Sequence, residues 1–315
     1  MMVSEVASEL ITDPGGIYLD ATIGGGGHAE LILRHLHTSG RVIGLDRDRD
    51  ALREAWGRLA HFGPRVTLRH ADYRDLAAVF HALGIEAISG ALFDLGLSSL
   101  QLDDPSRGFA YRFDGPLDLR FDQSHGATAA AWLATATVDE IADVLRRFGE
   151  ERHALRLARA IVRTRAQKGQ PLATTADLTR VITAVVGSRG SDFGRTAARV
   201  FQALRIATND ELTAIPIGLQ SALDRLVPGA RLVVIAYHSL EDRLVKSHFR
   251  EWSRLCRCPA VWGRCMCGAH PVGRLVHRRA LRPTAGEIAR NPRAKAARMR
   301  VLERLPDQLD MRPSD

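Results

Sequence analysis

The sequence lacks any uninterrupted apolar run long enough to cross a bilayer, which excludes a membrane-spanning helix. It also lacks the basic-then-apolar order of a secretory signal, because residues 1–10 carry two glutamates, and the chain is expected to stay in the cytoplasm with no membrane partner. Cysteine is scarce, at four in 315 residues. In a reducing compartment such residues start as thiols, not as a disulfide framework. Lysine is scarcer still: only Lys168, Lys246 and Lys295 among 44 basic residues, so nearly all the positive charge is guanidinium.

What is present is the composition of a globular protein, 45% hydrophobic and 25% charged, in a chain long enough for one large domain or for one domain carrying a second as an insertion. The net charge of +8 is unevenly spread. Residues 243–304 hold sixteen Lys or Arg and three acids, a net +13, which leaves −5 on the remainder. A basic stretch on a slightly acidic body is the footprint of a nucleic-acid binder that gains affinity by releasing phosphate counterions. A solvated basic tail would give the same count.

Along the chain, residues 16–22 read as a buried strand, followed by Gly24-Gly25-Gly26-Gly27 and a helix over 29–36. Strands over 41–46, 65–70 and 90–94 follow, with an amphipathic helix at 49–61. Strands alternating with helices predict a parallel sheet covered on both faces. The alternation then stops. Residues 127–133, 138–148, 151–167, 175–186 and 196–206 all have helical spacing, with breaks at Gly149, Gly169-Gln170-Pro171 and 187–194. A strand resumes at 231–236, followed by Tyr237-His238-Ser239 and another helix, and the last forty residues are basic and weakly periodic. The pattern is an α/β fold with a helical insertion.

Parallel sheets bind ligands beyond the carboxyl ends of their strands. There Asp20 is followed by glycines, which let backbone amides approach a ligand that a Cβ would push away. Asp46 ends the second strand twenty residues after Gly26, where a carboxylate can accept from ribose hydroxyls. Together they describe an adenosine site. The turn also reads G-x-G-x-x-A through Gly24, Gly26 and Ala29, so a dinucleotide oxidoreductase competes, as does a non-catalytic RNA-binding protein that has kept the cofactor fold. What discriminates is the rest of the rim: Asp72-Tyr73 suits an adenine amino group and ring, and Asp94-Leu95-Gly96-Leu97-Ser98-Ser99 is a short acid-led loop such as amino-group methyltransferases use to hold the target nitrogen. An exocyclic amine on a nucleobase is a weak nucleophile, and an acceptor such as Asp94 localises its lone pair and aims it, with the base splayed from its stack. Capping of the following turn is the plainer role for Asp94. His238 is expected either to meet substrate or act as general base, or simply to pack and hydrogen-bond.

With Asp20-Ala-Thr-Ile-Gly-Gly-Gly-Gly-His28, Phe93-Asp-Leu-Gly-Leu-Ser-Ser-Leu-Gln-Leu102, Arg107-Gly-Phe-Ala-Tyr-Arg-Phe-Asp-Gly-Pro-Leu-Asp-Leu119, Arg199-Val-Phe-Gln-Ala-Leu-Arg-Ile206, Tyr237-His-Ser-Leu-Glu-Asp-Arg243 and Asn291-Pro292-Arg293 in this order, the chain resembles the RsmH (MraW) family. These are bacterial methyltransferases of N4 of a cytidine in the decoding region of small-subunit ribosomal RNA. The resemblance implies a class I (Rossmann-like) methyltransferase sheet over 1–104 and 213–315, interrupted by a helical RNA-recognition domain over 105–212. It implies S-adenosyl-L-methionine as cofactor, contacted by Gly26, Gly27, His28, Asp46, Tyr73, Asp94 and Gln101, and 16S ribosomal RNA as partner, within the small subunit. The protein itself would be a monomer or homodimer. Tyr73 stands where the family often has phenylalanine, and Leu97 and Leu100 replace a commoner valine and proline. The family usually carries a His-x-Pro-Val-type segment ahead of the part matching residues 3–10; either the chain starts upstream of Met1 or that wall of the pocket is absent.

Cys256-x-Cys258 and Cys265-x-Cys267 complete the inventory. Cysteines two apart in an extended segment point the same way, so four thiolates can converge on a structural zinc, although the spacing is not the usual C-x-x-C and reduced thiols near a surface loop satisfy it equally.

Overall fold

The computed structural model describes residues 1–187, 191–256, 258, 262, 266–267 and 270–306. The chain forms two compact units, Met1–Gly96 with Leu212–Asp315, and Leu97–Glu211. In chain order the elements are α1 (Val3–Leu10), β1 (Ile17–Asp20), α2 (Gly27–His35), β2 (Arg41–Asp46), α3 (Arg49–Leu59), β3 (Val66–His70), α4 (Leu76–Leu83) and β4 (Ile88–Asp94). The helices α5 (Ser99–Asp103), α6 (Ala129–Thr135), α7 (Val138–Gly149), α8 (Ala154–Lys168), α9 (Thr175–Val186) and α10 (Ser191–Asn209) follow. Then come α11 (Glu211–Leu223), β5 (Leu226–Ala236), α12 (Ser239–Trp252), β6 (Gly273–Leu275), α13 (Ala285–Arg290) and β7 (Arg298–Arg304). No helix among the described residues is long and apolar enough to cross a membrane.

In the first unit the strands form one sheet in the order β3-β2-β1-β4-β5-β7-β6. β1 to β5 run parallel, and β7 enters antiparallel between β5 and β6. This is the class I methyltransferase arrangement. From β1 the chain steps outward to β2 and β3, then returns to the other side of β1 with β4 and β5. The order therefore reverses between β1 and β4, which opens a crevice beyond their carboxyl ends. β4 is buried at every residue but its last, Asp94, as expected of a strand covered on both faces. Side chains alternate between two apolar layers. Leu232 and Val234 pack with Phe80, Leu219 and Phe249 on one face; Val233 and Ile235 pack with Val6, Leu33 and Leu59 on the other.

The second unit has its own core, in which Leu133, Ile141, Leu145, Leu157, Ile161, Ile182, Val200 and Leu204 are buried together. Its helix starts are set by side chains: Thr137 with Glu140 and Thr174 with Asp177 form capping boxes, each satisfying N–H groups that have no intrahelical acceptor. A buried pair of bonds from Arg205 to Glu211, at 2.8 and 3.0 Å, closes the unit at its chain exit.

Several elements differ from the sequence reading. α8 begins at Ala154 instead of 151, because Glu150 adopts a left-handed conformation that ends α7 and the Glu151 carboxylate accepts from the His153 N–H. α10 begins at Ser191, inside the expected 187–194 break. α1, α11, β6 and β7 had no counterpart in the expected pattern.

Candidate active site

The glycine turn joins β1 to α2. Gly24 and Gly26 have φ of 49° and 80°, left-handed values at which a Cβ is strained. A Cβ on Gly26 would also stand 3.3 Å from the Ala55 Cα, so this glycine lets the turn pack against α3. A Cβ on Gly27 would meet nothing within 4 Å. At that open position α2 begins, and the N–H groups of a first helical turn lack intrahelical acceptors and favour an electronegative ligand.

Asp46 braces the turn from β2. Its Oδ2 accepts from the Gly24 N–H and its Oδ1 from the Asp48 N–H, both at 2.9 Å. Burial pushes its pKa up to about 6, against these backbone bonds. A carboxylate has about four acceptor sites, so Asp46 can brace the turn and still accept from ribose hydroxyls.

Asp94, the last residue of β4, is held from three sides. Its N–H donates to Thr22 Oγ1 at 2.7 Å, its Oδ1 accepts from the Tyr237 hydroxyl at 2.6 Å, and its Oδ2 lies 3.2 Å from His28 Nε2. Burial works against ionisation, but the His28 ring and the Tyr237 hydroxyl outweigh it and hold the carboxyl below the usual aspartate range. The Tyr237 hydroxyl is pushed far upward by burial and by this carboxylate, so it remains a donor. The Asp94 side chain nevertheless keeps 21% of its surface exposed, leaving a face for an amine. Gly96, with φ of 95°, lies against the Tyr237 ring, where a Cβ would stand 3.1 Å from Cδ2.

Asp20 completes the acidic cluster. Its Oδ1 accepts from the Thr22 N–H, whereas Oδ2 is buried with no hydrogen-bond partner. Burial pushes its pKa up to about 7, against the attraction of His28. His28 Nδ1 is likewise buried and unpartnered. Two orphaned polar atoms beside a glycine cradle are what a polar ligand would satisfy.

The remaining expected residues are placed differently. Tyr73 packs its ring edge-on to Phe93 and against Gly218 of α11, while Asp72 accepts from the Arg74 N–H and pairs with the guanidinium groups of Arg47 and Arg74. Gln101 lies in the second unit, where its side chain accepts from the Ser98 N–H and closes the capping box of α5. His238 is the N-cap of α12, with Nδ1 accepting from the Glu241 N–H at 3.4 Å. Its Nε2 is buried with no hydrogen-bond partner, 3.0 Å from Glu241 Oε1. The side chain after β5 that reaches Asp94 is Tyr237, which the sequence reading passed over although it is the first residue beyond the strand end. Thr22 was also missed. Of the four cysteines, Cys256, Cys258 and Cys267 lie together; Cys265 falls outside the described residues.

A family model for the MraW methylase family matches residues 1–305. The ribosomal RNA small subunit methyltransferase H of Symbiobacterium thermophilum is 45% identical over 306 residues, covering 97% of this chain and 96% of that protein. The protein of the same name from Heliobacterium modesticaldum is 46% identical over 307 residues, covering 97% of each. Among solved structures, an rRNA methylase from Streptococcus thermophilus aligns over 97% of this chain and 95% of its own, at 14% identity and a TM-score of 0.43.

Proposed function

The chain belongs to the MraW methylase family, and from that membership we propose that it transfers the methyl group of S-adenosyl-L-methionine to N4 of a cytidine in the decoding region of 16S ribosomal RNA. The relatives' name supports the small-subunit RNA substrate, and the geometry of Asp94 supports an amine as the acceptor. The oxidoreductase alternative left open by the glycine spacing is set aside by the family match.

The residues fit the cofactor. The open position at Gly27, the Asp46 carboxylate and the orphaned Asp20 Oδ2 offer, in turn, close backbone approach, acceptors for ribose hydroxyls and a buried carboxyl that a bound α-ammonium would hold ionised. The cofactor supplies an electrophilic methyl group on a cationic sulfur. An acidic cluster suits that charge.

Asp94 carries the reading. Fixed by His28 and Tyr237 and kept ionised, its carboxylate accepts from the amino hydrogens and turns the nitrogen lone pair out of conjugation with the ring. His28 holds Asp94 through Nε2 and presents its buried Nδ1, which has no hydrogen-bond partner, as a further polar contact for a ligand. The helical segment 105–212 and the basic segment 243–304 grip the RNA, the latter through a depression of about 700 Å³ lined by Arg243, Lys246, Arg250 and Arg254.

Labelled methyl incorporation into small-subunit particles, followed by mapping of the modified nucleotide, tests this. Label on a cytidine N4 in the decoding region is expected; label elsewhere, or none, overturns it. Asp94→Ala is expected to fold while losing most methyl transfer, by about 100-fold or more. Asp46→Ala is expected mainly to weaken cofactor binding. Full activity in Asp94→Ala would remove the assigned role.

A further inference from the structure

We propose that Cys256, Cys258 and Cys267 form a three-thiolate binding site for a zinc(II) ion in the connection between α12 and β6. Their sulfur atoms all lie within 4.8 Å of one another. The Cys256 and Cys267 Sγ atoms are 3.9 Å apart, far beyond a disulfide bond. Zinc–sulfur bonds of about 2.3 Å in tetrahedral array place neighbouring sulfurs about 3.8 Å apart. The cluster is therefore near coordination spacing before any ion enters.

Backbone donors supply a second, independent sign. The Cys258 N–H points at Cys256 Sγ at 3.4 Å, and the Met266 N–H at Cys258 Sγ at 3.2 Å. These bonds orient the ligands from outside the coordination shell.

The connection also needs a device of this kind. It leaves α12 at Trp252 and returns where the Val272 N–H donates to the Trp252 carbonyl at 2.9 Å, ahead of β6. Among the described residues of the connection, Leu255 and Met266 are 76% and 78% exposed, and Trp262 is also exposed. Hydrophobic burial thus contributes little at these three described positions. A thiolate-bound zinc would tie its two ends together and fix the chain beside Arg250 and Arg254 of the basic depression. Three sulfur donors select a thiophilic cation over magnesium or calcium, and zinc is one that forms closed tetrahedral thiolate sites. Each thiol gives its proton to solvent and a sulfur lone pair to zinc. With β6 at the sheet edge, the site is structural and not part of the β1/β4 crevice.

The test uses the full chain, reduced and without a metal-binding tag, titrated with zinc chloride against a chromophoric chelator and, separately, with cobalt chloride. About one zinc per chain is expected to be withheld from the chelator, with proton release, and cobalt is expected to give the sulfur charge-transfer band and intense visible bands of a tetrahedral thiolate site. Cys256→Ser, Cys258→Ser and Cys267→Ser are each expected to weaken zinc binding by at least about tenfold with far-ultraviolet circular dichroism unchanged. No competition with the chelator, a cobalt spectrum without sulfur charge transfer, or a Cys256–Cys267 disulfide forming in place of zinc uptake would each overturn the proposal. Should a serine variant unfold, the cobalt spectrum of the unaltered chain decides.

Discussion

Asp20 and Asp94 end neighbouring parallel strands, yet their environments drive them apart. Asp94 has two side-chain partners and stays ionised, whereas Asp20 has an orphaned oxygen and a pKa pushed up to about 7 by burial. The ordinary aspartate value is 3.8. Between these values the folded chain keeps a proton that the unfolded chain has released, so stability falls as pH rises from about 4 to about 7 and levels off above. The contribution is of order 4 kcal/mol for this window. Asp20→Asn is expected to flatten that decline: without cofactor, its urea midpoint should exceed that of the unaltered chain at pH 8 and match it near pH 3. Parallel curves for the two proteins would show that Asp20 is not shifted. The carboxylates were legible from the sequence because residues at strand ends are few and face the crevice. Their ionisation was not, since it depends on Tyr237 and His28, which strand pairing and the glycine turn bring to Asp94 from distant parts of the chain.

At the scale of elements, the parallel strands, α2 and α3 were legible because each is an apolar or amphipathic run bounded by turn residues, whereas α4 was not expected. Nor was β7. Its sequence, Arg298-Met-Arg-Val-Leu-Glu-Arg304, reads as part of a basic tail, yet Met299, Val301 and Leu302 are buried between β5 and β6. Its charges are accommodated by partners the sequence places far away. Asp242 of α12 accepts from Arg298 and Arg300, and Glu303 pairs with Arg231 and Arg274. Leu302 packs with Leu232 and against Gly273, where a Cβ would stand 2.9 Å from it. Leu302→Ala should therefore cost about 3 kcal/mol in urea unfolding, with the denaturant slope unchanged. A loss under about 0.5 kcal/mol would mean that β7 is not part of the core. α11 escaped notice for a different reason: Pro216 lies inside it and the helix is apolar on more than one side, which obscures the helical period.

For the whole molecule, the positive charge of residues 243–304 overstates what RNA can meet, because Arg298 and Arg300 are engaged with Asp242. The depression along α12 is lined by Lys246 and Arg250 beside Arg254, which pairs with Glu251. If they contact phosphates, the dependence of RNA affinity on salt should flatten by about one logarithmic unit of slope per contact removed in Lys246→Ala and Arg250→Ala. Filter binding across a salt series reads this directly, and an unchanged slope in both variants would place the RNA elsewhere. The sequence by itself determined the fold class, the acids at the strand ends and the family, because these depend on local periodicity and on motifs contiguous along the chain. Only the tertiary structure decided that Tyr237 and not His238 reaches Asp94, that β7 is a core strand, and that three cysteine sulfurs converge. Each of these is a distance between atoms whose approach is set by sheet order and loop closure, quantities that no short window of sequence contains.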